Sequence, residues 1–162
     1  MGSFSDEQLI NQAYTLAGNA LSDMTDWSDF RQWKKIISEV SLSSRVTYHT
    51  GILNQQVLNG GFIQYYDNGY GIFAYETLGS LQLLKADLTK ELLQKSLAII
   101  NPGNYRGDHF DQYISSNEYH ADWQTMAEKL DKLDSEYYQL EHKENLEQLL
   151  ATFLRAQGEL SI

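Results

Sequence analysis

One proline, Pro102, occurs in 162 residues. Because proline lacks a backbone donor and its ring clashes with the preceding helical turn, a chain so nearly free of it can sustain helix almost throughout. Apolar residues recur three and four positions apart, and the strict alternation of a half-buried strand is scarce. The expected fold is all-α, a single compact multi-helix bundle of about six to eight helices spanning residues 1–162 as one domain. With 42 % apolar side chains, a chain of this size buries enough surface to fold without a metal or disulfide staple. It has no cysteine, which excludes disulfide scaffolds, thiolate metal sites and thiol nucleophiles.

Ser5 with Gln8 three positions on forms a capping-box pattern, and Leu9, Ala13, Leu16, Ala17 and Ala20 follow at helical spacing. Phe30, Trp33, Ile36, Ile37 and Val40 mark a second helix. A third runs from about Leu42 through Leu53 and Val57 and is expected to stop at Asn59-Gly60-Gly61, where glycine supplies a left-handed C-cap. The aromatic stretch that follows reads as short helical turns, because Gly69 and Gly71 deny it one long helix. A hairpin at Asn-Gly is rejected, since its flanks do not alternate. Residues 74–85 and 88–100 read as helices, and residues 105–117 as loop with one helical turn. Trp123, Ala127, Leu130, Leu133, Tyr137 and Leu140 define a long helix face. Leu146, Leu149, Leu150, Phe153 and Leu154 define a last helix closed by Gly158.

Twenty-two acidic side chains oppose twelve basic ones, a net charge of −10. The excess lies in two segments: residues 1–30 carry five acids and no base, and residues 118–147 carry nine acids and three bases. No basic cluster exceeds Arg31, Lys34 and Lys35, so direct nucleic-acid binding is excluded as a general mode. No stretch approaches the roughly 20 apolar residues that span a bilayer. The N-terminus has neither the basic nor the apolar part of a secretory signal, and a cytoplasmic protein with no membrane partner is expected.

Candidates for chemistry are sparse. Asp108-His109-Phe110-Asp111 and Glu118-Tyr119-His120-Ala121-Asp122 place histidine beside carboxylates, and an α-helix would put Glu118 and Asp122 on one face. His109, Asp111, Glu118 and His120 are thus the set around which a divalent-metal enzyme could be built. Yet HExxH, EF-hand, P-loop and nucleophile-elbow patterns are missing, and carboxylates near histidine are common on surfaces. Solvated or hydrogen-bonded side chains are the plainer reading, and no metal or cofactor is expected. Asn59-Gly60-Gly61 could present backbone amides as an anion nest, but a helix C-cap is the plainer reading there too.

The acidic helix over residues 118–140 says more. At about 100° per residue, one flank of its apolar face carries Lys129, Lys132 and Glu136. The other carries Asp131, Asp134 and, if the helix persists, Glu141, with Tyr138 among them and no lysine. Carboxylates so spaced sit on the order of 5–6 Å apart at Cβ, comparable in scale to phosphates along a nucleic-acid strand. Chance patterning explains one such helix equally well.

Residues 58–69, LNGGFIQYYDNG, resemble a bacterial family of all-helical domains whose best-understood member is a DNA-mimic protein. Asn59, Gly60, Gly61, Phe62, Gln64, Tyr65 and Asn68 carry the likeness, with Tyr75, Glu76 and Leu78 in the next helix. LDKLDSEYYQL, residues 130–140, and the apolar helix after it extend the resemblance over roughly residues 40–157. The resemblance implies an all-α, dimeric protein without catalytic residues or cofactor. For the mimic it also implies a carboxylate-studded surface that occupies the DNA-binding face of a transcription regulator. The motif itself reads as a structural corner, its glycines freeing the backbone and Phe62, Tyr65 and Tyr66 supplying buried area. Mimicry would reside in surface acids instead.

The expectation is a non-enzymatic acidic interaction module, a homodimer, that binds a basic protein partner, a DNA-binding regulator, by imitating phosphate. Asp131, Asp134 and Glu141 lead the candidate surface, with Glu118, Asp122 and Glu128 in support and Asp23, Asp26 and Asp29 as a second patch. An immunity- or antitoxin-type protein that recognises one toxin by shape is the alternative in the binding class. The metal-dependent enzyme built on His109 and His120 is the alternative outside it.

Overall fold

A computed structural model describes residues 4–158, and among them every regular element is helical. Eight α-helices follow in chain order: α1 (Asp6–Ala20), α2 (Phe30–Glu39), α3 (Leu42–Asp67), α4 (Ala74–Leu83), α5 (Asp87–Ile100), α6 (Gly107–Ser115), α7 (Trp123–Tyr138) and α8 (Leu146–Gln157). Short 3-10 turns at Tyr70–Phe73, Glu118–Asp122 and Leu140–His142 connect some of them. The chain is an all-α bundle, as its periodicity implied.

The spine is α3. Helices α1, α4, α6, α7 and α8 all pack on it, and it buries Val46, Leu53, Val57, Phe62, Tyr65 and Tyr66 on successive turns. On α1, the facing positions include Ala13 and Ala17, both fully buried and small enough for close helix approach. The outer helices start and stop as their sequences prescribe. Gln8 N–H donates to Ser5 Oγ at 3.2 Å and Ser5 N–H to Gln8 Oε1 at 2.9 Å, completing the capping box. Gly158 closes α8 at φ 68°. Among the described residues no helix is long and apolar enough to cross a membrane.

Several local expectations are corrected. Residues 105–117 are mostly helix rather than loop, for α6 occupies the span and buries Phe110, Tyr113 and Ile114. Residues 118–122 form a 3-10 turn, not the first turn of α7, so Glu118 and Asp122 do not stack at i,i+4; three residues per turn eclipse i and i+3 instead. Glu141 also falls outside α7, which ends at Tyr138. Finally, Asn59-Gly60-Gly61 interrupts α3 without ending it. Gly60 (φ −155°, ψ 21°) and Gly61 (φ 78°, ψ 178°) leave helical geometry, and helix resumes at once and runs to Asp67.

Candidate functional site

A helix that restarts after a break exposes amides that have no carbonyl in a preceding turn. One of these, Phe62 N–H, donates to Asp134 Oδ1 of α7 at 2.7 Å. Asp134 is only 8 % exposed, so this acid, expected on a solvent-facing flank, caps a buried helix start instead. Burial pushes its carboxyl above the ordinary range, the Phe62 hydrogen bond pulls it back, and the charge of Asp131 adds to the rise. Gly61 makes the arrangement possible. Its φ of 78° with ψ 178° is essentially a glycine-only conformation, and any side chain there would run into the Asp134 carboxylate. An amide at the double glycine does meet an anion, and the chain supplies that anion itself.

The polar motif residues brace the same kink. Asn59 Nδ2 donates to Gln64 Oε1 at 3.0 Å, Gln64 Nε2 to Gln56 Oε1 at 3.0 Å, and Asn68 Nδ2 to that Gln56 oxygen at 2.8 Å. These amides stitch the turn before the break to the turns after it. Phe62 meets Tyr137 of α7 edge-on at 5.7 Å between ring centroids, while Tyr65 is fully buried.

The proposed metal-enzyme set does not assemble. Lys34 Nζ holds both oxygens of the buried Asp111, at 3.0 and 3.1 Å, and also reaches Glu76 at 2.6 Å. Desolvation alone would lower the pKa of Lys34, but Glu76 and Asp111 outweigh it and the ammonium is held above its ordinary value. His120 Nε2 lies 2.9 Å from Asp67 Oδ1, which also accepts from the Tyr119 hydroxyl at 2.6 Å. His109 stacks on Tyr105, with ring centroids 4.1 Å apart. Among the described residues no three His, Asp or Glu side chains are grouped as metal ligands would be.

The other candidate acids are exposed: Asp23, Asp26, Asp29, Glu118, Asp122, Glu128, Asp131 and Glu141. Among the described residues none of these eight enters an ion pair. The pairs that form use other acids, as in Arg31 with Asp108, Lys95 with Glu91 and Arg155 with Asp6. Three of the eight also work locally, Glu118 by accepting from the Ser116 hydroxyl at 3.2 Å. Asp29 caps α2 by accepting from Gln32 N–H at 3.0 Å, and Asp26 accepts from Ser28 N–H at 3.0 Å. The Ser28 hydroxyl and amide hold the Asp26 carboxyl below its ordinary value.

Trp27 and Ser28, in the loop that carries Asp26 and Asp29, line an open cleft of about 710 Å³ together with Trp33, Asp67 and Tyr70. Ser116 lines it too, and its hydroxyl is 3.2 Å from Glu118. Residues beside both acidic segments therefore line this cleft, and Asp67 is the acid on its wall. Glu141 borders a different recess, beside Glu144 and Glu147. Glu144 is itself engaged, accepting from the α5 amides of Leu88 at 3.0 Å and Thr89 at 2.8 Å. Sequence reasoning missed both Asp67 and Glu144. The one available signal for Glu144 was Ala86 at the N-cap of α5, which offers no side-chain acceptor.

Fold and surface together define, over the described residues, an all-helical protein with a braced central kink and many exposed carboxylates that enter no ion pair there. A family model described as DMP19-like protein matches residues 38–157, and the chain belongs to the DMP19-like family. That membership agrees with the DNA-mimic-like family expected from the sequence. No curated protein and no solved structure matches the chain.

Proposed function

We propose that the chain is a non-enzymatic interaction module, working as a homodimer, whose exposed carboxylates bind a basic partner, a DNA-binding regulator, in the place of DNA. The observation that carries this reading is the absence, among the described residues, of any ion pair to the eight exposed candidate acids. Family membership supports it. Like charges held near one another cost stability, and a positive partner that relieves the repulsion gains both affinity and on-rate. Asp131, Glu128, Glu141, Glu118, Asp122, Asp23, Asp26 and Asp29 are the proposed contacts. Asp134 is not among them, because its carboxylate is buried at Phe62.

Capture of the partner from native lysate, followed by challenge with duplex DNA, tests this. The partner should be released by DNA and by about half-molar salt, and should not bind a chain carrying Glu118→Gln, Asp131→Asn and Glu141→Gln. A partner that withstands DNA and ignores those substitutions contradicts the reading.

The cleft supports a second reading. Trp27 is 52 % exposed beside Trp33 and Tyr70, the kind of aromatic surface that dominates interface energetics. An immunity- or antitoxin-type module would recognise its toxin there by shape, and Trp27→Ala would then abolish capture where the acid substitutions would not.

A further inference from the structure

Between α2 and the first turns of α3 and α4 lies an open recess of about 350 Å³ lined by Lys34, Lys35, Arg45, His49, Phe73 and Glu76, with Ile37 beneath. Three of the chain's twelve basic residues and one acid gather there, in a molecule whose net charge is −10. Lys34 is fixed by Asp111 and Glu76. Lys35 and Arg45 enter no ion pair among the described residues. Arg45 gives one N–H to the Ser38 carbonyl at 2.7 Å, which anchors the guanidinium at the rim and leaves further donors of its fork available. The wall is apolar, with Ile37 and Phe73 buried.

His49 adds a directed donor. Its Nδ1 lies 2.9 Å from Ser80 Oγ, a hydroxyl with no other hydrogen bond among the described residues. With the hydroxyl donating to Nδ1, the neutral ring carries its proton on Nε2, the remaining polar atom of a side chain that lines the recess. Burial, with the charges of Arg45 and Lys34, keeps the ring neutral by pushing its pKa down to about 3.

We propose that this recess binds an organic anion, its carboxylate or phosphate headgroup held by Lys35, Arg45 and His49 Nε2, and a short apolar body resting on Phe73 and Ile37. A guanidinium fork and an ammonium are the side chains suited to oxyanions, and an apolar wall strengthens their pull by lowering the local dielectric. The site uses none of the acids assigned to the partner surface, so it stands or falls separately from that reading.

Phenyl phosphate and benzoate are the probes, with phenol as the neutral control, added to the full chain at constant ionic strength while the His49 ring is followed by NMR. At least one anion should shift His49 saturably and phenol should not. Lys35→Ala with Arg45→Ala should weaken binding by about tenfold or more, since both charged contacts to the headgroup are lost. Lys35→Ala alone, at an exposed position that leaves the Arg45–Ser38 bond intact, should weaken it several-fold, and Asp131→Asn should leave it unchanged. No saturable shift with either anion, an equal shift with phenol, or undiminished binding in the Lys35 and Arg45 variants overturns the proposal.

Discussion

Gly61 and Asp134 are complementary. The glycine backbone, at φ 78°, precedes an amide that Asp134 Oδ1 takes at 2.7 Å, and the carboxylate occupies the space a Cβ on Gly61 would need. This contact fastens α7 to the spine of the bundle at its least regular point. Gly61→Ala should therefore lose both the backbone conformation and the cap. Forcing an L-residue into that region costs about 1–3 kcal/mol before the clash is counted, so a urea titration should show a loss of at least about 2 kcal/mol.

Asp134→Ala strands a buried amide and should cost about 1–3 kcal/mol, measured in the same way. Asp134→Asn keeps an oxygen acceptor for Phe62 N–H and removes a charge that burial disfavours, so its cost should be much smaller. Equal losses in the two variants would show that the ionised carboxylate itself is needed.

Lys34 and Asp111 should behave as a unit. The Asp111 side chain is 5 % exposed and that of Lys34 is 22 % exposed. Lys34→Met leaves a buried carboxylate unpaired and should destabilise by about 2–4 kcal/mol, somewhat less than a fully buried pair because Lys34 keeps some solvent. Adding Asp111→Leu should restore much of the loss, and a double-mutant cycle reads the coupling.

His49 should leave a mark on the pH dependence of stability. Its folded pKa lies near 3 against an ordinary 6.5, so between those values the unfolded chain takes up a proton that the folded chain refuses. Its contribution is fully present above about pH 6.5 and is lost as the pH falls towards 3, with a slope of up to about 1.4 kcal/mol per pH unit. Urea midpoints between about pH 6.5 and 5 should decline more steeply for the wild type than for His49→Asn. Parallel declines would mean the ring is not held neutral.

What was legible in the sequence follows from how local its causes are. The start of α1 and the end of α8 depend on residues three or fewer positions away, and both were readable from Ser5, Gln8 and Gly158. Helix α6 was hidden because its buried apolar positions are only two aromatics and one isoleucine, among Asp, His and Gln. Asp134 was readable and misplaced. It follows Leu130 by four residues and precedes Tyr137 by three, which puts it on the buried face of α7 rather than beside it. The role of Asp67 depends on Tyr119 and His120, and the cleft on residues from four elements, so only the fold could bring those together.

The proposed function rests on exposed, unpaired carboxylates meeting positive charge. The most direct measurement is the dissociation constant of the captured complex from about 0.05 to 0.5 M salt, for the wild type, Asp131→Asn and Asp134→Asn. The account predicts weakening that is linear on logarithmic axes, a shallower slope for Asp131→Asn, and an unchanged slope for Asp134→Asn. An affinity that stays constant across that range, or a slope altered as much by Asp134→Asn as by Asp131→Asn, would contradict it.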